Sequence, residues 1–247
     1  MDFKNKVVLV TGGSCGIGAE IAIQFSKQSA KVVIVGRNEE KLMKVAEQCE
    51  AHGEAHAVKA DLTNDLEVER VVEETIKRFG QIDVLINNAG IVKNTKIEEG
   101  ISDYDKIFNT NLRSVYLLTS LAVPYLIKTK GNIINISSGT SKKIFPTMTV
   151  YCMSKAAMDM FTKGLAVELA PSVRANSINP GPVKTDLWVH AGVEGGETLM
   201  DMYGAATLLG KCTACKEIAD MALYLASDKA NSITGSSFVI DNGILLK

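Results

Sequence analysis

The stretch Thr11-Gly12-Gly13-Ser14-Cys15-Gly16-Ile17-Gly18 lies between an apolar run, Lys6–Val10, and an amphipathic stretch, Ile17–Lys27. Its glycines permit a tight turn and let a ligand approach the backbone closely. A helix that begins here would direct free N–H groups and the positive end of its dipole at a pyrophosphate. The spacing Gly-x-x-x-Gly-x-Gly between a strand and a helix is a variant of the dinucleotide-binding fingerprint. A glycine-rich structural turn is the alternative interpretation.

The same alternation of apolar runs and amphipathic stretches continues along the chain. Runs rich in Val and Ile predict strands that are buried on both faces, at Lys31–Val35, Ala55–Ala60, Ile82–Ile86, Asn132–Ile136, Val173–Ile178 and Ser237–Ile240. Helical stretches such as Glu39–Cys49, Leu66–Phe79 and Ala156–Leu169 separate them. Repeated βαβ units predict an α/β fold: a single Rossmann-type, doubly wound domain over residues 1–247, with a seven-stranded parallel sheet and helices on both faces.

Composition excludes several classes of protein. The 247 residues carry 27 basic and 28 acidic side chains, a net charge of −1, which offers no electrostatic footprint for nucleic acid or an anionic membrane. No apolar run approaches the roughly 20 residues of a membrane span. Five cysteines and no leader segment predict a cytoplasmic protein with reduced thiols. Cys212-x-x-Cys215 has no histidine nearby, so we predict no metal site.

The end of the second predicted strand bears on cofactor choice. A carboxylate at this position would hold the ribose 2′-hydroxyl of NAD, whereas a cation would hold the 2′-phosphate of NADP. The chain reads Val35-Gly36-Arg37-Asn38, with no acid before Glu39. Arg37 therefore favours NADP(H) over NAD(H), because its planar fork matches a phosphate. A solvated arginine ahead of the next helix is the alternative.

Further motifs follow in order: Asn88-Ala89-Gly90, Asn111, Ser138, Tyr151-x-x-x-Lys155 and Pro180-Gly181. Together with the glycine turn they resemble the classical short-chain dehydrogenase/reductases, at that family's spacing, from Met1 to about Gly243. The resemblance implies an oxidoreductase that interconverts a carbonyl and an alcohol. It also implies the catalytic residues, which are Asn111, Ser138, Tyr151 and Lys155.

Each implied role has a physical basis. Tyr151 would be the general acid/base, and Lys155, one helical turn on, would lower its pKa from about 10 and bind the nicotinamide ribose. Ser138 would stabilise negative charge on the substrate oxygen. Asn111 would hold a water that connects Lys155 to solvent.

The resemblance further implies the residues that contact the cofactor. Asp61 and Leu62 would meet the adenine, Pro180 and Gly181 the nicotinamide, and Thr185 its carboxamide. The full implied set is Thr11, Gly12, Ser14, Cys15, Gly16, Ile17, Gly18, Arg37, Asn38, Asp61, Leu62, Asn88, Ala89, Gly90, Tyr151, Lys155, Pro180, Gly181, Val183 and Thr185. Cys15 would also begin a helix, where a thiol pKa can fall far enough for redox sensing.

A stretch without clear periodicity, at about 184–211, predicts a substrate lid. A helical insertion packed permanently on the body is the alternative. Apolar residues in and near it predict a lipophilic substrate, such as a steroid-like, isoprenoid or other hydrophobic carbonyl compound; they include Ile144, Phe145, Met148 and Trp188.

Two other functions remain open. Lys142, Lys143 and Lys184 would give a basic mouth for an acidic carrier protein, as in a 3-oxoacyl-thioester (acyl-carrier-protein) reductase. A non-catalytic binding protein on the same fold is the other alternative. In either case the family resemblance implies a homo-oligomer, a tetramer or dimer. Its subunits would meet through helices at Asp103–Lys128 and Val150–Ala170. The apolar end Ile244-Leu245-Leu246 offers a second interface.

Overall fold

The computed structural model describes residues 1–191 and 195–247. Seven strands form its sheet: β1 (Val7–Thr11), β2 (Lys31–Gly36), β3 (Ala55–Lys59), β4 (Val84–Asn87), β5 (Asn132–Ile136), β6 (Arg174–Pro180) and β7 (Ser237–Ile240). All neighbouring strands pair in parallel, in the order β3-β2-β1-β4-β5-β6-β7. The predicted doubly wound parallel sheet is confirmed.

Helices connect the strands. They are α1 (Gly16–Ser26), α2 (Glu39–Glu50), α3 (Asp65–Phe79), α4 (Ser102–Phe108), α5 (Ser114–Thr129), α6 (Thr149–Leu169), α7 (Leu187–His190), α8 (Gly196–Ala206) and α9 (Cys215–Ala226). A π-helical turn at Asn109–Arg113 separates α4 from α5, so the predicted long helix at 103–128 is interrupted. None of the helices in the described part of the chain is both long and apolar enough to cross a membrane.

Successive side chains along each strand point to opposite faces of the sheet, so that an apolar layer forms on each face. Val8 and Val10 of β1 face one side, where α1, α2 and α9 cover the sheet. Val7 and Leu9 face the other side, against α3, α5 and α6. Because both faces are covered, the strands are near-continuous runs of apolar residues, as the sequence indicated.

Strand ends differ slightly from the prediction. β4 begins at Val84 rather than Ile82, and β6 continues to Pro180 rather than stopping at Ile178. Asn179 and Pro180 are poor strand formers, yet they pair in register with Val239 and Ile240 of β7. This extension carries the Pro180-Gly181 turn to the edge where the other strands end.

The predicted irregular lid contains two helices, α7 and α8. Trp188 and Met200 on these helices are buried in a third apolar cluster with Met148, Tyr151 and Cys152. In the described parts of 184–211 the chain packs on the body, in line with the alternative interpretation. Residues 192–194 of the predicted lid lie outside the described residues.

Candidate active site

The glycine turn joins β1 to α1 at the point where strand order reverses between β1 and β4. Gly12 has a φ of 63°, and a Cβ there would lie 2.8 Å from Asn88 Nδ2. Cys15 is the N-cap of α1 and makes no side-chain cap hydrogen bond. The first N–H groups of α1 therefore have no side-chain acceptor at the cap, which suits them to bind an anion such as a diphosphate.

Two residues implied as cofactor contacts lie behind this turn instead. Thr11 Oγ1 accepts hydrogen bonds from the backbone N–H groups of Asn88, at 3.0 Å, and Ala89, at 3.1 Å. A Cβ at Gly18 would overlap the carbonyl of Gly12, so glycine allows α1 to pack closely on the turn. Thr11 and Gly18 shape the cleft and do not line it. Their implied contact with the cofactor stays a prediction.

A cavity of about 520 Å³ runs along the carboxyl ends of the strands. Such crevices are where open α/β sheets bind their ligands. Its lining includes the remaining implied cofactor residues: Gly12, Ser14, Cys15, Gly16, Ile17, Arg37, Asn38, Asp61, Leu62, Asn88, Ala89, Gly90, Tyr151, Lys155, Pro180, Gly181, Val183 and Thr185. The sequence motifs therefore converge on one continuous cleft that fits an extended dinucleotide.

Arg37 lies at one end of the cleft, next to Asp61. Hydrogen bonds from Thr63, helped by the charge of Arg37, lower the pKa of Asp61. Within the described residues Arg37 makes no ion pair, and its guanidinium is exposed at the cleft. The positive charge of Arg37 is therefore available to a ligand at this end of the cleft.

A second cation lines the same part of the cleft and was not predicted. Lys41 belongs to the first turn of α2, where its backbone N–H is capped by Asn38 Oδ1 at 2.9 Å. Its Nζ lies 2.8 Å from Asp186 Oδ2, and the hydrogen bond to Asp186 raises the pKa of Lys41. The signal in the sequence is a basic residue four positions after Arg37, at the start of a helix.

Ser138, Tyr151 and Lys155 come together in the cavity. Ser138 follows β5, whereas Tyr151 and Lys155 occupy the first two turns of α6 and face the same way because they are four residues apart. Lys155 Nζ lies 5.8 Å from the centroid of the Tyr151 ring and donates to the carbonyl of Ile136 at 2.9 Å. Tyr151 is only 7% exposed.

Burial shifts the pKa values of Tyr151 and Lys155 and favours the neutral form of each. It raises the pKa of Tyr151 to about 12, although hydrogen bonding with Ser138 opposes the change. Burial also lowers the pKa of Lys155 to about 8, and the charge of Asp159 opposes that change. Desolvation of the phenolate is the largest cause of the shift in the Tyr151 pKa. The lowering of the Tyr151 pKa by Lys155 together with the charge of the oxidised cofactor stays a prediction. Near neutral pH Tyr151 is a neutral phenol that can donate a proton.

Asn111 lies in the π-helical turn, fully buried and behind the cavity wall. Its Oδ1 accepts from the N–H of Ile91 at 2.8 Å, and its Nδ2 donates to the Ile91 carbonyl at 2.9 Å and to Ser154 Oγ at 3.2 Å. A Cβ at Gly90 would lie 3.3 Å from Asn111 Oδ1 and 3.6 Å from Lys155 Nζ. The Asn111 side chain thus fixes the backbone beside Lys155, and its implied water relay stays a prediction.

All five cysteines are unpaired. Burial raises the pKa of Cys15 despite its place at a helix N-terminus, with a further contribution from the charge of Asp186. Burial likewise raises the pKa of Cys212 and of Cys215. A raised pKa disfavours the thiolate form of Cys15 on which redox sensing at this position would depend. No group of three potential metal ligands occurs among the residues that the structure describes.

Beyond Tyr151 the cavity wall is mainly apolar. Phe145, Met148 and Trp188 line it as expected, but Ile144 is 63% exposed and does not. Further lining residues come from α8 and from the last turn of the chain: Met200, Tyr203, Ile244 and Leu245. Ile244 and Leu245 were predicted to belong to an interface, and nothing in their immediate sequence indicates that they close a cavity.

Comparison with known proteins agrees with this geometry. A family model described as enoyl-(acyl carrier protein) reductase matches residues 12–245. The 3-oxoacyl-(acyl-carrier-protein) reductase FabG of Thermotoga maritima is 32% identical over 252 residues, covering 100% of both chains. Meso-2,3-butanediol dehydrogenase of Serratia marcescens is 33% identical, covering 98% of this chain and 96% of its own.

One solved structure matches the chain at a comparable sequence identity and has a closely similar fold. A short-chain dehydrogenase/reductase from Caenorhabditis elegans, determined with cofactor, superposes with a TM-score of 0.93 at 32% identity, covering 99% of this chain and 96% of that one. The fold and the site define an oxidoreductase that acts on CH–OH groups with a nicotinamide cofactor. The chain belongs to the classical short-chain dehydrogenase/reductase family.

Proposed function

We propose that the protein is an NADP(H)-dependent reductase of lipophilic ketones or aldehydes, which also catalyses the reverse oxidation of the alcohol. The observation that carries this proposal is the position of Ser138, Tyr151 and Lys155 between the dinucleotide cleft and the apolar part of the same cavity. The buried, protonated Tyr151 is the group that can complete a reduction.

The bound nicotinamide would supply a hydride to the carbonyl carbon. Tyr151 donates its phenolic proton to the carbonyl oxygen, so that a C=O group gains one hydride and one proton and becomes CH–OH. Ser138 donates a hydrogen bond to the same oxygen as negative charge develops on it. Lys155, held on the carbonyl of Ile136, stabilises the phenolate that remains.

Charge at the end of β2 supports NADP(H). Arg37 is available at the cleft, and Lys41, which is paired with Asp186 at 2.8 Å, lines the same cleft. The nearest acids after Arg37 are engaged elsewhere, since Glu39 pairs with Lys59 at 3.1 Å and Glu40 with Lys44 at 2.7 Å. A 2′-phosphate at this position would therefore meet Arg37 without opposition from Glu39 or Glu40, and Asp61 is the carboxylate that also lines this part of the cleft.

We expect Arg37→Asp to weaken NADPH binding by roughly 10- to 100-fold, because a hydrogen bond to a charged group contributes about 1.5–3 kcal/mol. NADH binding should change little or improve. Fluorescence titration of both cofactors measures the effect, with Lys77→Asp, the same charge reversal at an exposed position of α3, as the control. Tighter binding of NADH than of NADPH by the unmutated protein contradicts the assignment.

The cavity wall supports the proposed substrate class. Phe145, Met148, Trp188 and Met200 present aromatic and thioether surface, which favours an apolar carbonyl compound over a charged one. NADPH oxidation against steroids, quinones, aldehydes and 3-oxoacyl thioesters tests this class directly. Preference for small, highly polar carbonyls would refute it.

Similarity to an acyl-carrier-protein reductase keeps that activity as a second candidate. Its predicted basic mouth is largely neutralised, because Lys142 pairs with Asp159 at 2.8 Å and Lys184 pairs with Asp201. We therefore favour a free small molecule over a carrier-bound one. Faster turnover of a 3-oxoacyl carrier protein than of the same acyl group on a short thiol would reverse that order.

A binding protein without activity is the remaining alternative. The complete set of Asn111, Ser138, Tyr151 and Lys155 argues against it, because a binding role needs no buried acid beside a cation. We expect the enzyme to work in the cytoplasm, where five unpaired thiols stay reduced.

A further inference from the structure

A buried carboxylate lies beneath the catalytic group and has no part in the mechanism above. Asp159 follows Lys155 by one turn of α6 and is 7% exposed. Oδ2 accepts from Ser141 Oγ at 2.7 Å, Lys142 Nζ at 2.8 Å and Asn179 Nδ2 at 3.0 Å. Oδ1 accepts from the same amide at 3.0 Å, and Ser177 Oγ lies 3.3 Å away. A carboxylate placed this deeply requires such a complete set of donors.

These contacts connect Asp159 to the backbone of Ser138. Asn179 Nδ2 shares its two protons among the Asp159 carboxylate and two further acceptors within hydrogen-bond distance, the Ser138 carbonyl at 3.2 Å and Ser141 Oγ at 3.0 Å. Ser141 ends the short 3₁₀ turn Gly139–Ser141 that follows Ser138. Asp159 therefore holds both ends of the segment that presents the Ser138 hydroxyl.

Asp159 also faces charge. Lys155 lies on its own helix, and Lys142 approaches from the segment after β5, while β6 contributes only the neutral groups of Ser177 and Asn179. Burial raises the pKa of Asp159, but the hydrogen bonds from Lys142, Ser141 and Asn179 outweigh it, so the net pKa is lowered and the group stays ionised. Its negative charge is the protein charge that opposes the lowered pKa of Lys155.

We propose that Asp159 is a positioning residue that fixes the Ser138 segment against β6 and acts as a buried counter-charge shared by Lys142, with which it pairs, and Lys155, one helical turn away. The effect on turnover rests on the proposed function. The effect on Lys155 does not, because it belongs to the protein without substrate or cofactor.

The direct test is Asp159→Asn, which keeps the shape and removes the charge. The pKa of Lys155, followed by NMR of 13C-labelled lysine in the full-length protein, should fall below its wild-type value. The Lys155 signal is assigned by its loss in Lys155→Met. Glu69→Gln makes the same chemical change on the exposed side of α3 and should leave the Lys155 titration unchanged. An unchanged pKa of Lys155 in folded Asp159→Asn overturns the counter-charge role.

Activity gives the second readout. Asp159→Asn should lower kcat by roughly 10- to 100-fold with little change in KM, because hydrogen bonds to a charged group are lost around Ser138. In Asp159→Asn the decline of reductive kcat at high pH should begin at a lower pH than in the wild type, because the pKa of Lys155 is lower. Wild-type kcat and an unmoved pH profile in Asp159→Asn overturn the positioning role.

Ser141→Ala keeps the proposal testable if Asp159→Asn does not fold, since it removes one hydrogen bond and leaves the carboxylate. It should reduce kcat while the pKa of Lys155 stays at the wild-type value. Unchanged kcat in Ser141→Ala refutes the link to Ser138. If wild-type protein reduces no carbonyl compound, the proposed function fails, and the NMR titration still decides the role of Asp159.

Discussion

At the scale of single residues, burial matters more than neighbouring charge in this site. The motif Tyr-x-x-x-Lys indicates which side chains meet, but not how much water surrounds them. Tyr151 and Lys155 are both buried, so each is shifted toward its neutral form: the pKa of the phenol rises to about 12 and that of the amine falls to about 8. A sequence cannot give this balance, because it depends on side chains from several elements, such as Met148 and Trp188.

The pKa of Lys155 leads to a prediction about pH. A lysine with its pKa lowered to about 8 is charged below that pH and loses its charge as the pH rises through it. Reductive kcat/KM should therefore decline above about pH 8, while Tyr151, with a pKa of about 12, is still protonated. Initial rates across the range from neutral to alkaline pH measure this. Rates that stay level as far as the ordinary lysine pKa of about 10.4 contradict it.

At the same scale, Lys155→Met should lower turnover and nicotinamide affinity together, because it removes both a charge beside Tyr151 and the implied ribose contact. Ser138→Ala should lower turnover and leave cofactor affinity nearly intact. Isothermal titration of the cofactor beside steady-state rates separates the two patterns. Equal loss of cofactor affinity in both variants would show that Ser138 has a different role.

At the scale of elements, α7 and α8 supply part of the apolar cavity wall. Sequence periodicity missed α8 because Gly195, Gly196 and Gly204 interrupt its pattern, and helical glycines cost stability that tertiary packing must supply. Packing does supply it: Met200 and Trp188 reach the cluster around Met148. Movement of this segment as a substrate lid stays a prediction.

The single tryptophan of the chain reports on this segment. Trp188 is 9% exposed, so we expect blue-shifted fluorescence that acrylamide quenches poorly in the native protein. The same protein unfolded in denaturant is the control and should show red-shifted, easily quenched emission. Native emission that matches the unfolded state would show that the segment is open most of the time and that the packed arrangement is a minor one.

At the scale of the whole molecule, the exposed faces of α5 and α6 are unusually apolar. Tyr116, Met153, Met160 and Val167 are all exposed there, and Val167 is 80% accessible. Apolar patches of this kind on a monomer mark association sites. We propose that this face forms an isologous interface in a homotetramer, with the exposed Val239 and Leu246 near a second one.

Val167→Asp tests that interface. A charge buried between two subunits is costly, so the variant should dissociate into smaller species by light scattering at micromolar concentration. Leu66→Asp, at another exposed apolar position on α3, should leave the wild-type mass unchanged. A monomeric wild-type protein, or a Val167→Asp variant of unchanged mass, contradicts the proposed interface.

The sequence predicted the seven-stranded sheet, its parallel strand direction and most of the cavity lining, because glycine turns and strand-end motifs have local signatures. It did not predict Lys41, Asp159 or Leu245 as parts of the site. These residues reach it through pairings between distant elements: Lys41 with Asp186, Asp159 with Asn179, and Leu245 near Gly139. Such contacts follow from the tertiary arrangement and leave no fixed spacing in the chain.

The central claim is that Tyr151 delivers the proton in carbonyl reduction, and Tyr151→Phe tests it most directly. This variant should lower kcat by at least about 10²-fold, which is the lower end of the contribution of general acid catalysis, and should leave NADPH affinity nearly unchanged. Tyr203→Phe is the matched control, because Tyr203 lines the same cavity and offers the other tyrosine hydroxyl there among the described residues. It should keep turnover close to wild type. If Tyr151→Phe retains more than about a tenth of wild-type turnover, well above the general-acid expectation, or if Tyr203→Phe loses activity instead, Tyr151 is not the acid.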